Sequence, residues 1–378
     1  MRKVLIIGEC FSKNIGDQAV AYVTQWLVEQ TSTDDTVFTY LDLSGRTEEQ
    51  KTNYWISDKR AKWRTLRVAL SRIGLIDYLL KKKSAYSLIP KYKSIISGNN
   101  FDCAIFCGGQ LINDMFVCQM EAVAKLLMEN EIPVIYNGVG LGYVNHIGKK
   151  IFRRILSYPN VKGITCRCNS DRFNTTLGLT KQLALSTYDI AVFSPDAYGV
   201  KVKGNGSKVG LGIMRSTRFP YEQIKSFWKK IVSELDKRGV GWKFFYTGSS
   251  CDYELALDII QELQLPNDNS YYINENISNP MNCMVELSSF ERIISFRLHS
   301  HILSYALGIP SVAILWDEKI NDFFEKIGRT SAVFSVETDV RQIVDSMFGL
   351  PRYDESKILK SKSDSKKLLC CLLKDIYE

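Results

Sequence analysis

Short apolar runs that end in glycine alternate with amphipathic segments along most of this chain. "VLIIG" (4–8) is continuous and apolar, the pattern of a strand buried on both faces. "GDQAVAYVTQWLVEQ" (16–30) then places Ala19, Val20, Val23, Trp26 and Leu27 at helical spacing, and "TVFTYLDL" (36–43) returns to strand. The opening is therefore β-α-β, which predicts a parallel sheet. The alternation resumes at "DCAIFCGG" (102–109), a strand into a glycine turn expected to lead into a helix. It continues through helix "AVAKLLMENE", strand "PVIYNGVG" (133–140), helix "IFRRILSY", strand "KGITCRC" (162–168) and a helix ending at Gly178.

"SPDAYGVKVKGNGSK" (194–208) breaks the rhythm with Gly, Pro and polar residues and reads as a linker. A second series follows: strand "KVGLGIMR", a helix from Tyr221 capped by Gly239, strand "WKFFYTG", helix "YELALDIIQELQL", strand "ERIISF", helix "HSHILSYALG" and strand "SVAILW". The residues from Lys357 onward are basic and partly helical. The expected fold is two doubly wound, Rossmann-like α/β domains facing a cleft. The N-terminal domain spans 1–200, with a basic helical insert at 56–95. The C-terminal domain spans 205–350, and a basic helical tail fills 351–378. A chain of 378 residues has room for two such domains.

Composition sharpens this picture. The apolar share of 45% and charged share of 24% are those of a soluble globular protein. No apolar run approaches the ~20 residues needed to span a bilayer. The first run stops at Gly8 and Glu9, so it reads as a buried strand and not as a signal peptide. The ten cysteines lack C-x₂-C pairs and neighbouring histidines, so they read as cytosolic thiols and no metal site is expected. Charge is uneven. Residues 59–93 hold eleven Lys and Arg against one acid, Asp77; that +10 exceeds the net +8 of the whole chain. Between these cations, Trp63, Leu66, Leu70, Ile73, Ile76 and Leu80 recur at helical spacing. The segment is either a solvated helical face or a surface for anionic membrane; no nucleic-acid module is visible.

Ligands of open α/β sheets bind beyond the carboxyl ends of the strands, so the strand-to-helix turns are the places to search. Asn14, Gly16 and Asp17 precede the first helix. Backbone N–H groups there can hold an anion, or Asp17 can cap the helix. Gly108, Gly109 and Gln110 form a glycine turn that lets a ligand approach the backbone, and 137–142 offers another. Arg167 follows a strand end, either as a structural ion pair or as a ligand contact. Arg215 and Arg218 follow the glycine-rich strand of the second series. Arg297 ends "ERIISF", and His299 and His301 enter the next helix, which Ser295 or Ser300 is positioned to cap. An arginine fork binds carboxylate or phosphate, and histidine moves a proton near neutral pH. Residues two apart on a helix do not share a face, so His299 is expected to meet the anion and His301 to be structural. Asp317 and Lys319 follow the strand "SVAIL". Arg167, Arg215, Arg297 and Lys319 together describe a cationic site for a small, multiply charged anion.

With "NIGDQA", "FCGGQ", the R-x-x-S of Arg167 to Ser170, "SPDAYG" and "FRLHSHILSYALGIPSVAILWDEK" in this order, the chain resembles the polysaccharide pyruvyl transferase family from residue 8 to about 328. The family often has a third glycine where this chain has Gln110. The resemblance implies a fold similar to the GT-B glycosyltransferases. It implies transfer of a pyruvyl group from phosphoenolpyruvate to a sugar, giving a cyclic ketal. It points to Arg167, Arg297, Leu298 and His299 as the donor-handling set, in the arginine and R-L-H positions. On this reading the N-terminal domain takes the acceptor and the C-terminal domain takes phosphoenolpyruvate. His299 is the candidate acid or phosphate partner and Asp17 the candidate base. No cofactor is needed. The acceptor sugar is expected on a lipid diphosphate carrier, at the cytoplasmic face of a membrane that 59–93 touches. Two rivals remain: a glycosyltransferase that uses a nucleotide sugar, and a non-catalytic sugar-binding protein.

Overall fold

This computed structural model describes residues 1–31, 34–48, 78, 81–83, 85–201, 206–216, 218–247, 250–268, 270–272 and 279–377. The apolar positions of the amphipathic run (Trp63, Leu66, Leu70, Ile73, Ile76 and Leu80), and most of the 56–95 insert, lie outside them.

The apolar runs form two parallel sheets. The first has the order β2-β1-β3-β4-β5-β6, from β1 (Arg2–Gly8), β2 (Thr36–Asp42), β3 (Cys103–Cys107), β4 (Val134–Val139), β5 (Val161–Cys166) and β6 (Leu185–Ser186). The second has the order β11-β10-β9-β7-β8, from β7 (Lys208–Gly212), β8 (Trp242–Phe245), β9 (Phe290–Ser295), β10 (Ser311–Ile314) and β11 (Val333–Phe334). Val4 to Ile7 and every residue of β3 and β4 are buried, as continuous apolar runs require when helices cover both faces. In each sheet the chain starts in the middle and builds outward in both directions. The order therefore reverses beside β1 and β3 in the first sheet, and beside β7 and β9 in the second. These reversal points leave a crevice at the carboxyl ends of the strands.

Two compact units result. One comprises 1–12, 20–190 and 363–378; the other comprises 13–19 and 191–362. The core of the first includes Leu5, Phe106, Tyr136, Phe152 and Phe173. The core of the second is built around Trp228, Phe244 and Phe296, whose rings meet edge-on at 5.7–5.8 Å. Ile15 belongs to a buried cluster with Phe245, Met284, Leu303 and Ile309, and its N–H donates to the Thr247 carbonyl (3.1 Å). That anchorage explains why 13–19 go with the second unit.

Three segments add detail to the sequence expectation. No helix follows Gly108 and Gly109 directly. Residues 109–116 instead pair with the turn after β4 through Gly140 N–H to Gly109 O (2.7 Å), an Ile112–Leu141 bridge and Gly142 N–H to Ile112 O (2.8 Å), and the helix begins at Val117. A 3₁₀ turn at Ile190–Phe193 precedes the supposed linker (194–208), which opens with a short helix, Ser194–Ala197, that packs against the helix Leu298–Ala306. Pro195 lies in the first turn of that helix, where a missing N–H costs nothing. The C-terminal tail is one helix, Glu355–Tyr377, and its end joins the first unit. There Leu369 and Leu373 are buried, and the Tyr377 hydroxyl meets the Cys103 thiol (3.3 Å). Gly178, Gly239 and Gly308 close their helices in the left-handed conformation, where glycine pays no β-carbon penalty.

Candidate active site

The second unit gathers its candidates at the β7/β9 reversal. The Ser295 hydroxyl accepts the Arg297 N–H (3.0 Å), and the helix Leu298–Ala306 starts immediately after. The structure thus gives Ser295 the backbone of Arg297, where the sequence offered either Ser295 or Ser300 as cap. The Arg297 guanidinium pairs through Nη2 with Oδ2 of Asp252, a fully buried carboxylate. The other oxygen of Asp252 accepts the N–H of Arg215 (2.7 Å). Arg297 keeps 22% of its side chain exposed, enough for a ligand to reach it. Its Nε is buried with no hydrogen-bond partner among the described residues.

His299 lies one residue into the helix and is 9% exposed. Its ring occupies the space over Gly16: a β-carbon at residue 16 would lie 2.0 Å from His299 Nδ1. The turn that carries Gly16 is held by Asn14, whose Oδ1 accepts the Gly16 N–H (3.0 Å). The Asn14 carbonyl accepts from Asp17 (3.1 Å) and Gln18 (3.2 Å). Asn14 therefore occupies the capping place offered to Asp17, which sits in the first turn of Ile15–Glu29.

His301 is wholly buried. Its Nε2 meets the Ser295 carbonyl (3.1 Å), and Phe324 packs edge-on at 5.0 Å. Burial depresses its pKa to about 3, partly offset by that hydrogen bond, so the ring is neutral. Leu298 is buried beside it.

The turn after β10 is tied to the same edge. Trp316 donates its indole N–H to the Phe296 carbonyl (2.6 Å), and Lys319 Nζ stands 4.5 Å over the Trp316 ring. Asp317 caps the helix Glu318–Lys326 by accepting the Lys319 N–H (3.2 Å), and pairs with Arg218 (3.4 Å). Arg215 itself reaches Glu254 (3.7 Å) and is half exposed.

The first unit holds a second group. Arg167 follows β5 and donates its N–H to the Val139 carbonyl (3.2 Å). Its buried guanidinium pairs with Asp189, also buried. Gly140 lies against it: a β-carbon there would stand 2.7 Å from Arg167 Nε. Gly109, Gly140 and Arg167 thus line up across the turns after β3, β4 and β5. Gln110 donates to the Leu141 carbonyl (3.4 Å) and helps fix the same loops. Gly108 packs against Val20 and the Asn137 and Gly138 carbonyls.

Asp189 and Asp252 are the two residues that sequence reasoning passed over. Asp252 follows the strand "WKFFYTG" and lies in the first turn of the helix Ser250–Glu262, so the strand-end search had a signal for it. Among the described residues, no group of three or more His, Cys, Asp or Glu is placed to hold a metal ion. None of the described helices is long and apolar enough to cross a membrane.

The fold of this chain is similar to that of UDP-GlcNAc 2-epimerase from Neisseria meningitidis, solved bound to UDP-GlcNAc, at 11% identity, with 99% of this chain and 100% of that one covered and a TM-score of 0.61.

 The UDP-N-acetylglucosamine 2-epimerase of Rickettsia bellii is similar at 12% identity, with 100% and 97% covered and a TM-score of 0.61. The S. aureus MnaA–UDP structure is similar at 10% identity, with 97% and 91% covered and a TM-score of 0.58. At these identities the likeness shows the fold alone: two Rossmann-like α/β domains of the GT-B type. No curated protein sequence matches the chain. The model of the polysaccharide pyruvyl transferase family matches residues 14–318. That span begins at the Asn14 turn, contains Arg167, Asp252, Arg297 and His299, and stops one residue short of Lys319. The chain belongs to the polysaccharide pyruvyl transferase family.

Proposed function

We propose that the protein transfers a pyruvyl group from phosphoenolpyruvate to a sugar of a polysaccharide precursor, forming a cyclic ketal and releasing phosphate. The observation that carries this reading is the start of the helix Leu298–Ala306. A partly exposed arginine stands there at the N-cap, and a histidine follows two residues on in the first turn, at the point where the sheet order reverses. Phosphoenolpyruvate presents a carboxylate and a phosphate, which suit guanidinium groups. The helix N-terminus adds partial positive charge.

The chemistry needs a proton at C3 of the enol, which makes C2 electrophilic. One sugar hydroxyl attacks C2, a second closes the ketal, and the bond from C2 to the phosphate oxygen breaks. Of the two hydroxyl protons released overall, one balances the proton gained at C3 and the other leaves with phosphate. In this scheme His299 supplies the proton or holds the departing phosphate, and Arg297, with Arg215 and Lys319, offsets its charge. Asp17 takes the hydroxyl proton. The scheme uses no metal or redox group.

The acceptor is assigned to a lipid diphosphate carrier, which places the protein at the cytoplasmic face of a membrane. Support comes from the basic segment. Among its described residues, Lys82 stands 5.5 and 5.7 Å over the Tyr78 and Tyr86 rings, and Tyr86 is exposed. Replacing Lys81, Lys82 and Lys83 by Gln should weaken binding to anionic liposomes; unchanged binding would remove the membrane from the scheme.

The deciding assay is phosphate release from phosphoenolpyruvate with lipid-linked galactose, glucose and N-acetylmannosamine acceptors. Acceptor-dependent release, lost in His299→Ala, is expected. Tight binding of UDP with no release from phosphoenolpyruvate would favour a nucleotide-sugar glycosyltransferase instead.

A further inference from the structure

We infer that Asp252 is a positioning residue of the donor site, which fixes the Arg297 guanidinium and the Arg215 loop together. The inference rests on the donor reading above. Arg215 follows β7 and Arg297 follows β9, the two strands that flank the reversal point. Asp252 stands on neither loop. It comes from the helix that follows β8, and spends one carboxylate oxygen on each: Oδ1 on the Arg215 N–H (2.7 Å) and Oδ2 on Arg297 Nη2. Two residues further along the same helix, Glu254 reaches the Arg215 guanidinium (3.7 Å). One turn of helix therefore sets a backbone N–H and two guanidinium groups.

Orientation is the physical effect such a carboxylate provides. Asp252 is fully buried while Arg297 is 22% exposed. Taking the carboxylate out of water opposes the Coulombic gain, so the net contribution of such a pair to stability is small. What the pair does fix is the plane of the arginine fork. An exposed guanidinium on a flexible stem samples many orientations, and each must be given up on binding a carboxylate or phosphate. Anchored at Nη2, Arg297 presents its remaining donors in one plane, which suits bidentate recognition.

The test uses the full chain with Asp252→Asn, which keeps the shape and removes the charge, and with Asp258→Asn as control, a residue of the same helix that accepts from the Tyr221 hydroxyl (2.7 Å) and Lys225 (3.4 Å). Calorimetric titration with phosphoenolpyruvate should show affinity lower by about tenfold or more in Asp252→Asn, the loss expected for one hydrogen bond between charged groups. Asp258→Asn should bind as wild type. Because asparagine keeps the oxygen that accepts the Arg215 N–H, Asp252→Asn acts through Arg297, and adding it to Arg297→Lys should cost little more than Arg297→Lys alone. A second readout needs no ligand. In protein labelled with ¹⁵N-arginine, the Arg297 Nε–H resonance, identified by its loss in Arg297→Lys, should move in Asp252→Asn. A folded Asp252→Asn protein with that resonance unmoved would overturn the inference, as would unchanged affinity for phosphoenolpyruvate. If wild type fails to bind phosphoenolpyruvate while the resonance moves, the donor reading falls and the positioning role stands.

Discussion

The imidazole of His299 fills the space that a side chain at residue 16 would need. A β-carbon there would lie 2.0 Å from Nδ1 and 2.1 Å from Cγ. Gly16 is therefore a condition for the position of His299, set from the opposite end of the chain. Gly16→Ala must push the ring aside. Phosphate release should fall by about a hundredfold, the scale for a misplacement of about 1 Å in a catalytic group. Overpacking should cost about 1–3 kcal/mol of stability. Wild-type rates in Gly16→Ala would show that His299 does not act from this position.

His301 should report on acid stability. Its ring is neutral in the folded protein, with a pKa near 3, while the unfolded chain titrates near 6.5. The contribution of the buried neutral ring is fully present above pH 6.5 and is lost as pH falls from 6.5 toward 3. By pH 5 the loss reaches about 2 kcal/mol, at about 1.4 kcal/mol per pH unit. Urea midpoints for wild type should drop more steeply between pH 7 and pH 5 than those for His301→Gln. Parallel curves would mean that another group governs this range.

Arg167 and Asp189 form a buried pair, so removing one partner leaves an uncompensated charge. Asp189→Ala should cost about 3–5 kcal/mol in denaturant unfolding. The double change Arg167→Met with Asp189→Leu should recover most of that stability and none of the phosphate release. Recovery of both would show that Arg167 is structural only.

The C-terminal helix should behave as part of the first unit. Leu369 is buried, and Leu372 lies against Gly163, where a β-carbon would stand 2.2 Å from its Cδ2. Leu369→Ala should cost about 2–5 kcal/mol, the range for a buried leucine. Gly163→Ala should destabilise by overpacking the same contact. Thermal unfolding unaffected by either would mark the helix as a dispensable tail.

The arrangement of strands was legible because each is a continuous apolar run between polar turns, and local periodicity carries that information. The same rule led to Arg167 and Arg297, since a charged residue after a buried strand must reach solvent, an ion partner or a ligand. It did not reveal 109–116, which pair with the turn after β4 before the expected helix begins at Val117. It failed at Ser194–Ala197, where Pro195 looked like a breaker and sits in the first turn of a helix. Asp189 and Asp252 gave no local sign that they are buried, because an acid near the start of a helix reads equally well as solvated.

The sequence by itself determined two α/β units and the family, through short-range pattern and the order of its motifs. Only the tertiary structure decided which acid holds which arginine, and that Asn14 and Gly16 belong with His299. Those contacts join residues far apart in the chain. They are set by burial, by the space a missing β-carbon leaves and by the need of each buried charge for a partner, none of which is written in local periodicity.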